Sequence, residues 1–135
     1  QVSIRIIPYL VAIIAAVAMF RAAGGIDMFS RAIGPFLAAI HFPTELLPLV
    51  LMRPLSGSGA NGIFAELVQS QGPDILLARM GASIMGSTET TFYVIAVYFG
   101  SVAIRRTRHA VPAGLVADLA GVTASVIICN LVFGK

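Results

Sequence analysis

Charged residues are scarce in this sequence, and their scarcity argues against an ordinary water-soluble domain. Of the 135 residues, 11% are Asp, Glu, Lys or Arg and 58% are hydrophobic, whereas soluble domains average about 25% and roughly 45–50%. A small domain leaves a large share of its surface in contact with solvent. We therefore expect the lipid bilayer, not water, to surround most of the apolar side chains.

The sequence has one cysteine, Cys129, which excludes an intrachain disulfide and a cysteine metal cluster. It lies in the apolar run SVIICNLVF, so we expect a small buried side chain. No phosphate loop, dinucleotide fingerprint or metal-ligand spacing is present, and SGSG at 56–59 departs from the Gly-x-Ser-Gly signature of rhomboid-type intramembrane proteases. We expect no metal, no cofactor and no enzyme activity.

Basic residues are dispersed along the chain apart from one cluster, RRTRH at 105–109. A nucleic-acid-binding protein needs a basic face with interleaved polar or aromatic side chains. This cluster instead separates two apolar segments, as loops beside a membrane do. The sequence therefore predicts a membrane partner and no nucleic acid, with the cluster on the cytoplasmic side.

Two apolar runs have the length of a spanning helix, for which about 20 residues are needed. They are residues 2–20 and residues 113–133. Between them, apolar residues of 26–42 recur at helical spacing and polar residues lie off that face, although Gly34 and Pro35 interrupt the pattern. This segment predicts an amphipathic helix that lies along the membrane interface.

Residues 43–71 predict a re-entrant helical hairpin. The run LLPLVLM is about half a span, and IFAELVQSQ resumes a helical pattern after LSGSGANG. Irregular backbone within the hydrocarbon region is tolerated where it is buried in protein or lines a water-filled cavity. The tip, residues 56–62, is therefore expected to face a binding site, although an ordinary flexible turn is the alternative. The tip residues that we expect to contact a solute are Ser56, Gly57, Ser58 and Asn61.

Residues 74–104 are too long for one straight span, since a helix of that length extends about 46 Å against a hydrocarbon core of roughly 30 Å. A polar run, GSTET, occupies 86–90 near the middle. We therefore predict a broken helix, with one half over 75–85, an unwound segment over 86–90 and a second half over 91–104.

A carboxylate in the middle of a membrane costs about 2.5–3.5 kcal/mol and usually marks a solute or ion path. An unwound segment adds backbone carbonyls and half-helix ends as ligands. The alternative is that Glu89 caps the second half-helix and the run is an exposed loop. The candidate binding residues in this run are Ser87, Thr88, Glu89, Thr90 and Thr91.

Two further charged residues are candidate partners of this site. Arg53 is expected to meet Glu89, a solute anion or the membrane interface. Asp118 is expected to pair with an arginine at a helix contact, and it is also a second candidate for function. Beside it runs a stripe of small residues that permits close approach of a neighbouring helix, formed by Ala113, Ala117, Gly121 and Ser125.

From residue 47 to the C-terminus the sequence resembles the spore maturation protein B family, on the motifs LMRPLSGSGANGIF and GPDILLARMGASIMGSTETTFYVIAVYFG. That family looks like a member of the nucleoside-recognition or gate group, which also includes gate segments of ferrous iron transporter B. The group resembles half of a concentrative nucleoside transporter. The resemblance implies a solute site between hairpin tip and broken helix, here 56–61 and 87–91.

Taken together, these patterns predict an all-α membrane protein with one gate domain over 1–135. Its order is a spanning helix, an interfacial helix, a re-entrant hairpin, a broken helix and a final spanning helix. We expect a multi-pass protein of the inner membrane that binds a small polar solute or ion, possible solutes including nucleosides. Because a site between two repeats needs a second repeat, the expected partner is a spore maturation protein A-like segment or subunit, or a second copy. The alternative function is a non-transporting scaffold or regulatory subunit.

Overall fold

The computed structural model describes residues 7–8, 11–12, 15–16, 18–20, 22–39, 42–104 and 106–134. In these ranges all regular secondary structure is helical and there is no strand, which confirms the all-α class. The predicted first span over 2–20 lies in large part outside the described residues. Those of its residues that are described are helical.

The first complete helix, α1, covers Gly25–Ala39. It follows Gly24, whose φ of 72° lies in the left-handed region that glycine adopts without a steric penalty. The predicted interruption at Gly34 and Pro35 is absent, because the helix continues through Pro35 for 15 residues in all. Proline within a helix removes one backbone hydrogen bond and bends the axis, and here it does not end the helix.

The predicted hairpin consists of a 3-10 turn at Thr44–Leu46, helix α2 at Leu47–Met52 and helix α3 at Gly57–Gln71. Pro48 lies in the first turn of α2, where a missing backbone N–H costs least. The two helices pack closely, since a Cβ on Gly59 would lie 3.0 Å from Met52 Sδ. The lack of a side chain at Gly59 thus allows α3 to pack this closely against Met52 of α2.

The predicted broken helix is present, with helix α4 at Leu76–Ser87 and helix α5 at Thr91–Val94. A π-helical stretch at Ile95–Phe99 continues α5. The break covers only residues 88–90, so it is shorter than the predicted 86–90. Gly86 and Ser87 remain helical because α4 packs along the last helix as far as its final residue, as described below.

The last helix, α6, covers Ala110–Phe133, three residues earlier at its start than predicted. Pro112 falls in its first turn, where proline is well tolerated. Among the described helices it is the one long enough and apolar enough to cross a membrane. Its 24 residues span about 36 Å.

One apolar core joins the hairpin, α4 and α6. Cys129 is 3% exposed within it, which confirms the expectation of a small buried side chain. Since the core draws residues from all three elements, it fixes the hairpin turn and the helix break relative to α6. Its buried members are Leu46, Leu49, Met52, Ala60, Met80, Ile84, Val122, Val126 and Cys129.

Candidate functional site

The turn of the hairpin lies directly against the break in the helix. The backbone N–H of Phe92, in α5, donates to the carbonyl oxygen of Pro54 in the turn at 3.0 Å. A Cβ on Gly57 would lie 3.2 Å from Thr90 Cγ2. The structure thus brings together two segments that are more than 30 residues apart in sequence.

Arg53, the first residue after α2, bonds to the C-terminal end of α4. Its Nη2 donates to the carbonyl oxygens of Met85 at 2.9 Å and of Thr88 at 2.7 Å. Its Nε donates to Thr88 Oγ1 at 3.2 Å. The last carbonyls of a helix have no partner within it and carry partial negative charge, so a guanidinium is well suited to this end.

Asp118 of α6 bonds to the other side of the break. Its Oδ1 accepts a hydrogen bond from the backbone N–H of Glu89 at 2.9 Å, and its Oδ2 accepts one from Thr91 Oγ1 at 2.6 Å. The carboxylate is buried, with 8% of the residue exposed. Among the described residues the ion pair is Arg79 with Asp74, so the pairing of Asp118 with an arginine stays a prediction.

The two threonines of the break, Thr88 and Thr90, and Thr91 at the start of α5 are each 7% exposed, and their hydroxyls are used within the chain. Thr88 donates to the carbonyl oxygen of Ile84 at 2.7 Å, and Thr90 donates to Glu89 Oε1 at 3.2 Å. Thr91 donates to Asp118, as described above. The hydrogen bonds of these hydroxyl groups therefore stabilise the backbone conformation of the break.

Glu89 differs from its neighbours because it is exposed. Its Oε1 accepts from the backbone N–H of Thr90 at 3.0 Å, a local bond of the type that the capping alternative required. The expected pair between Arg53 and Glu89 is not among the ion pairs of the described residues. The Glu89 carboxylate is thus exposed and can accept further hydrogen bonds.

The predicted hairpin tip is helical over most of its length, which corrects the expectation of a loop at 56–62. Ser56 is the N-cap of α3, and its Oγ accepts from the backbone N–H of Gly59 at 3.1 Å. Such a cap satisfies one of the free N–H groups of a helix start, so the glycines enter the helix. Ser58 and Asn61 are exposed on its first turns, and Ser58 Oγ lies 3.3 Å from Ser56 Oγ.

The stripe of small residues is divided between two surfaces. Gly121 and Ser125 face α4 of the same chain: a Cβ on Gly121 would lie 2.7 Å from the carbonyl oxygen of Ser87. The hydroxyls of Ser87 and Ser125 are 2.8 Å apart. Ala113 and Ala117 are exposed. Half of the stripe therefore packs against α4 of the same chain. The spacing of small residues in the sequence does not distinguish this contact from one with a partner.

A cavity of about 500 Å³ borders the break. Arg53, Thr88 and Asp118 are the polar residues in its wall, and Glu89 is not in that wall. The remainder of the lining is apolar and comes from the segment before α1, from α1, the hairpin, α5 and α6. These residues are Phe20, Phe29, Val50, Leu51, Pro54, Leu55, Phe92, Leu115, Leu119 and Val122.

The Gate family, described as nucleoside recognition, matches residues 3–105. Spore maturation protein B of Bacillus subtilis (strain 168) is 43% identical over 135 residues, which covers 100% of this chain and 76% of that protein. This chain belongs to the spore maturation protein B family. No solved structure gives a significant match to it.

In this spore maturation protein B family member, the Gate match contains the hairpin turn and the helix break, and it ends before α6. Asp118 accepts hydrogen bonds from the N–H of Glu89 and the hydroxyl of Thr91. It lies outside the matched region. The likeness to the Bacillus subtilis protein includes α6 as well. The candidate site is thus formed by residues of the Gate region and of the helix that follows it.

Proposed function

We propose that this chain is one gate repeat of a multi-pass inner-membrane protein that binds a small polar solute beside the helix break. One observation carries the proposal: the hairpin turn and the break are joined by direct hydrogen bonds, while the Glu89 carboxylate is left exposed. In the membrane, the hairpin would be re-entrant and the α4–α5 pair would be a broken span. The whole chain, 1–135, would form a single gate domain.

The charges at the break favour a solute that donates hydrogen bonds. The break is bordered by one guanidinium, from Arg53, and two carboxylates, from Asp118 and Glu89. Asp118 already accepts two hydrogen bonds within the chain, so Glu89 is the acceptor with free capacity. An uncharged solute rich in hydroxyl or amide donors, such as a nucleoside, suits this acceptor, and the nucleoside-recognition description of the Gate family supports the same class.

Among the nine candidate residues, three are assigned to direct contact. Glu89, Ser58 and Asn61 are exposed and would bind the solute. The others act on the shape of the site, since their polar atoms bond within the chain or, for Gly57, its lack of a side chain lets α3 approach Thr90. These shaping residues are Ser56, Gly57, Ser87, Thr88, Thr90 and Thr91.

A second gate repeat would complete the site. A charged carboxylate that faces lipid is costly, and transporters with a site at mid-membrane build it between two repeats. This chain supplies one hairpin and one break in its described part. We propose that a spore maturation protein A-like segment or subunit, or a second copy of this chain, covers Glu89. Native mass spectrometry in lipid nanodiscs that shows monomers only, together with Glu89 inaccessible to a lipid-phase carbodiimide, would defeat this part of the proposal.

Solute binding is tested by the thermal stability of the purified protein, because a ligand of the folded state raises its unfolding midpoint. The panel contains nucleosides, nucleobases, sugars and amino acids. We expect a donor-rich uncharged solute to raise the midpoint of the unaltered protein. Glu89→Gln should keep the fold, because the shape is retained, and should lose most of the shift.

Glu66→Gln is the matched control, since Glu66 is also exposed and lies on α3 away from the break. It should respond to the solute as the unaltered protein does. If Glu89→Gln binds the solute equally well, Glu89 serves only as a local cap. If no solute in the panel shifts the midpoint, the solute proposal is wrong.

A scaffold or regulatory subunit is the second candidate function. It is favoured by the hydrogen bonds of Arg53, the threonines and Asp118 within the chain, which support the shape of the break internally. It is also favoured by the exposed apolar residues of α6, which a partner helix would bury. These are Leu115, Val116, Leu119, Ile127, Ile128, Leu131, Val132 and Phe133. Uptake of a solute by proteoliposomes containing the chain and its partner would exclude a purely scaffolding role.

A further inference from the structure

The C-terminal end of α4 forms a cluster of oxygen atoms around one cation. The carbonyl oxygens of Met85 and Thr88 and the hydroxyl oxygen of Thr88 all lie within 3.2 Å of the Arg53 guanidinium. Oxygen sets of this kind, made of half-helix ends and unwound carbonyls, bind Na⁺ in transporters with broken helices. In this chain the position at the centre of the set is held by a side chain.

We infer that Arg53 is a resident cation of the broken helix, so that the gate repeat needs no inorganic cation at this position. The guanidinium supplies the positive charge and the hydrogen bonds that the carbonyl end of α4 requires. The inference rests on the proposed function in one respect: solute binding at the break would then be independent of Na⁺. The occupancy of the oxygen cluster itself is independent of any solute.

Three features keep Arg53 in this place. Its backbone N–H donates to the carbonyl oxygen of Leu49 at 2.9 Å, so it continues the α2 helix with φ of −56°. Its neighbour Met52 is 1% exposed and anchors α2 in the core. The planar fork of the guanidinium donates to several oxygens at once. A free ion would have to lose water to enter the same cluster.

The experiment compares unfolding midpoints in NaCl, KCl and choline chloride at equal ionic strength, with no solute present. The unaltered protein should have the same midpoint in all three salts. Arg53→Ala should lower the midpoint by several degrees in choline chloride, because three oxygens lose their donor. NaCl or added methylguanidinium should recover part of that loss by entering the vacated cluster.

Arg79→Ala is the control for loss of a positive charge. Arg79 is exposed, lies 3.8 Å from the carboxylate of Asp74 and stacks over the Phe133 ring. Its removal should leave the midpoint equal in the three salts. Arg53→Lys should remain independent of Na⁺, since the ammonium still provides a tethered cation.

Arg53→Gln carries the same test if Arg53→Ala fails to fold, because glutamine keeps a donor and loses the charge. A midpoint of the unaltered protein that rises in NaCl over choline chloride would overturn the inference, and that measurement needs no variant. Equal midpoints of the neutral Arg53 variants in all salts would overturn it too. Both measurements are made without a solute, so a failed solute screen would contradict the proposed function and would not affect this inference.

Discussion

The two ends of the helix break are stabilised by opposite charges that come from different elements. At the carbonyl end, a cation from the hairpin turn, Arg53, bonds to Met85 and Thr88. At the amide end, an anion from α6, Asp118, bonds to the N–H of Glu89 and the hydroxyl of Thr91. Each charge has the sign that the helix dipole favours at that end.

The difference between the ends lies in how each is held. The carbonyl end is also packed against α6, where Gly121 leaves room for the backbone of Ser87. The amide end is held by the buried carboxylate of Asp118 and by the hydrogen bond from the Phe92 N–H to the carbonyl oxygen of Pro54. The break is thus a shared joint, because the hairpin turn and α6 each contact both half-helices.

Gly121→Leu should have the largest effect, because it acts on the carbonyl end through rigid backbone. Even a Cβ at this position would lie 2.7 Å from the carbonyl oxygen of Ser87. Overpacking of a well-packed contact costs roughly 1–3 kcal/mol and at times more, and we expect a loss of about 3 kcal/mol. Chemical denaturation in detergent measures the change.

Ala117→Leu is the control for Gly121→Leu, since Ala117 belongs to the same stripe and is exposed. It should leave the stability of the isolated chain unchanged within about 0.5 kcal/mol. Equal losses for the two variants would show that α6 does not pack on α4 through Gly121. A weaker assembly in Ala117→Leu with unchanged monomer stability would support a partner at the exposed half of the stripe.

Asp118→Ala should have the second largest effect, because it removes both acceptors at the amide end. The N–H of Glu89 and the hydroxyl of the buried Thr91 would lose their partner, and each unsatisfied buried group costs about 1–3 kcal/mol. We expect a loss of about 2 kcal/mol, since Glu89 lies near solvent and water replaces part of its bond.

Asp118→Asn separates shape from charge at the same position. It retains one carbonyl acceptor, so its loss of stability should be smaller than that of Asp118→Ala. Hydrogen exchange at the amide of Glu89 gives a local readout, which should accelerate in Asp118→Ala. Unchanged exchange in that variant would mean that the amide end is held by another contact.

Ser56→Ala should have the smallest effect of the three, because it acts on the hairpin turn and reaches the carbonyl end only through Arg53. Loss of an N-cap side chain costs about 1 kcal/mol, and Ser56 caps α3 through Gly59. Ser70→Ala, at an exposed serine near the end of α3, is the control and should be close to neutral. Identical midpoints for both variants would show that the cap contributes nothing.

Several parts of the structure were predictable from local pattern. The excess of apolar residues predicts helices, and the GSTET run predicts a break in the long segment, with the second half beginning at Thr91 as observed. Local pattern failed at residues 57–62. Glycines predicted a loop there, but the Ser56 cap starts a helix, and the lack of side chains at Gly57 and Gly59 lets it approach Thr90 and Met52.

The helical class, the scarcity of charge and the polar groups amid apolar segments follow from composition and from neighbours along the chain, so they can be read without a structure. Which charges meet which helix ends depends on the packing of distant segments. Arg53 is 35 residues from Thr88, and Asp118 is 29 residues from Glu89. Their side chains have several partners of equal chemical merit in the sequence, and the packing of the hairpin and α6 around one core brings a single set within hydrogen-bond distance.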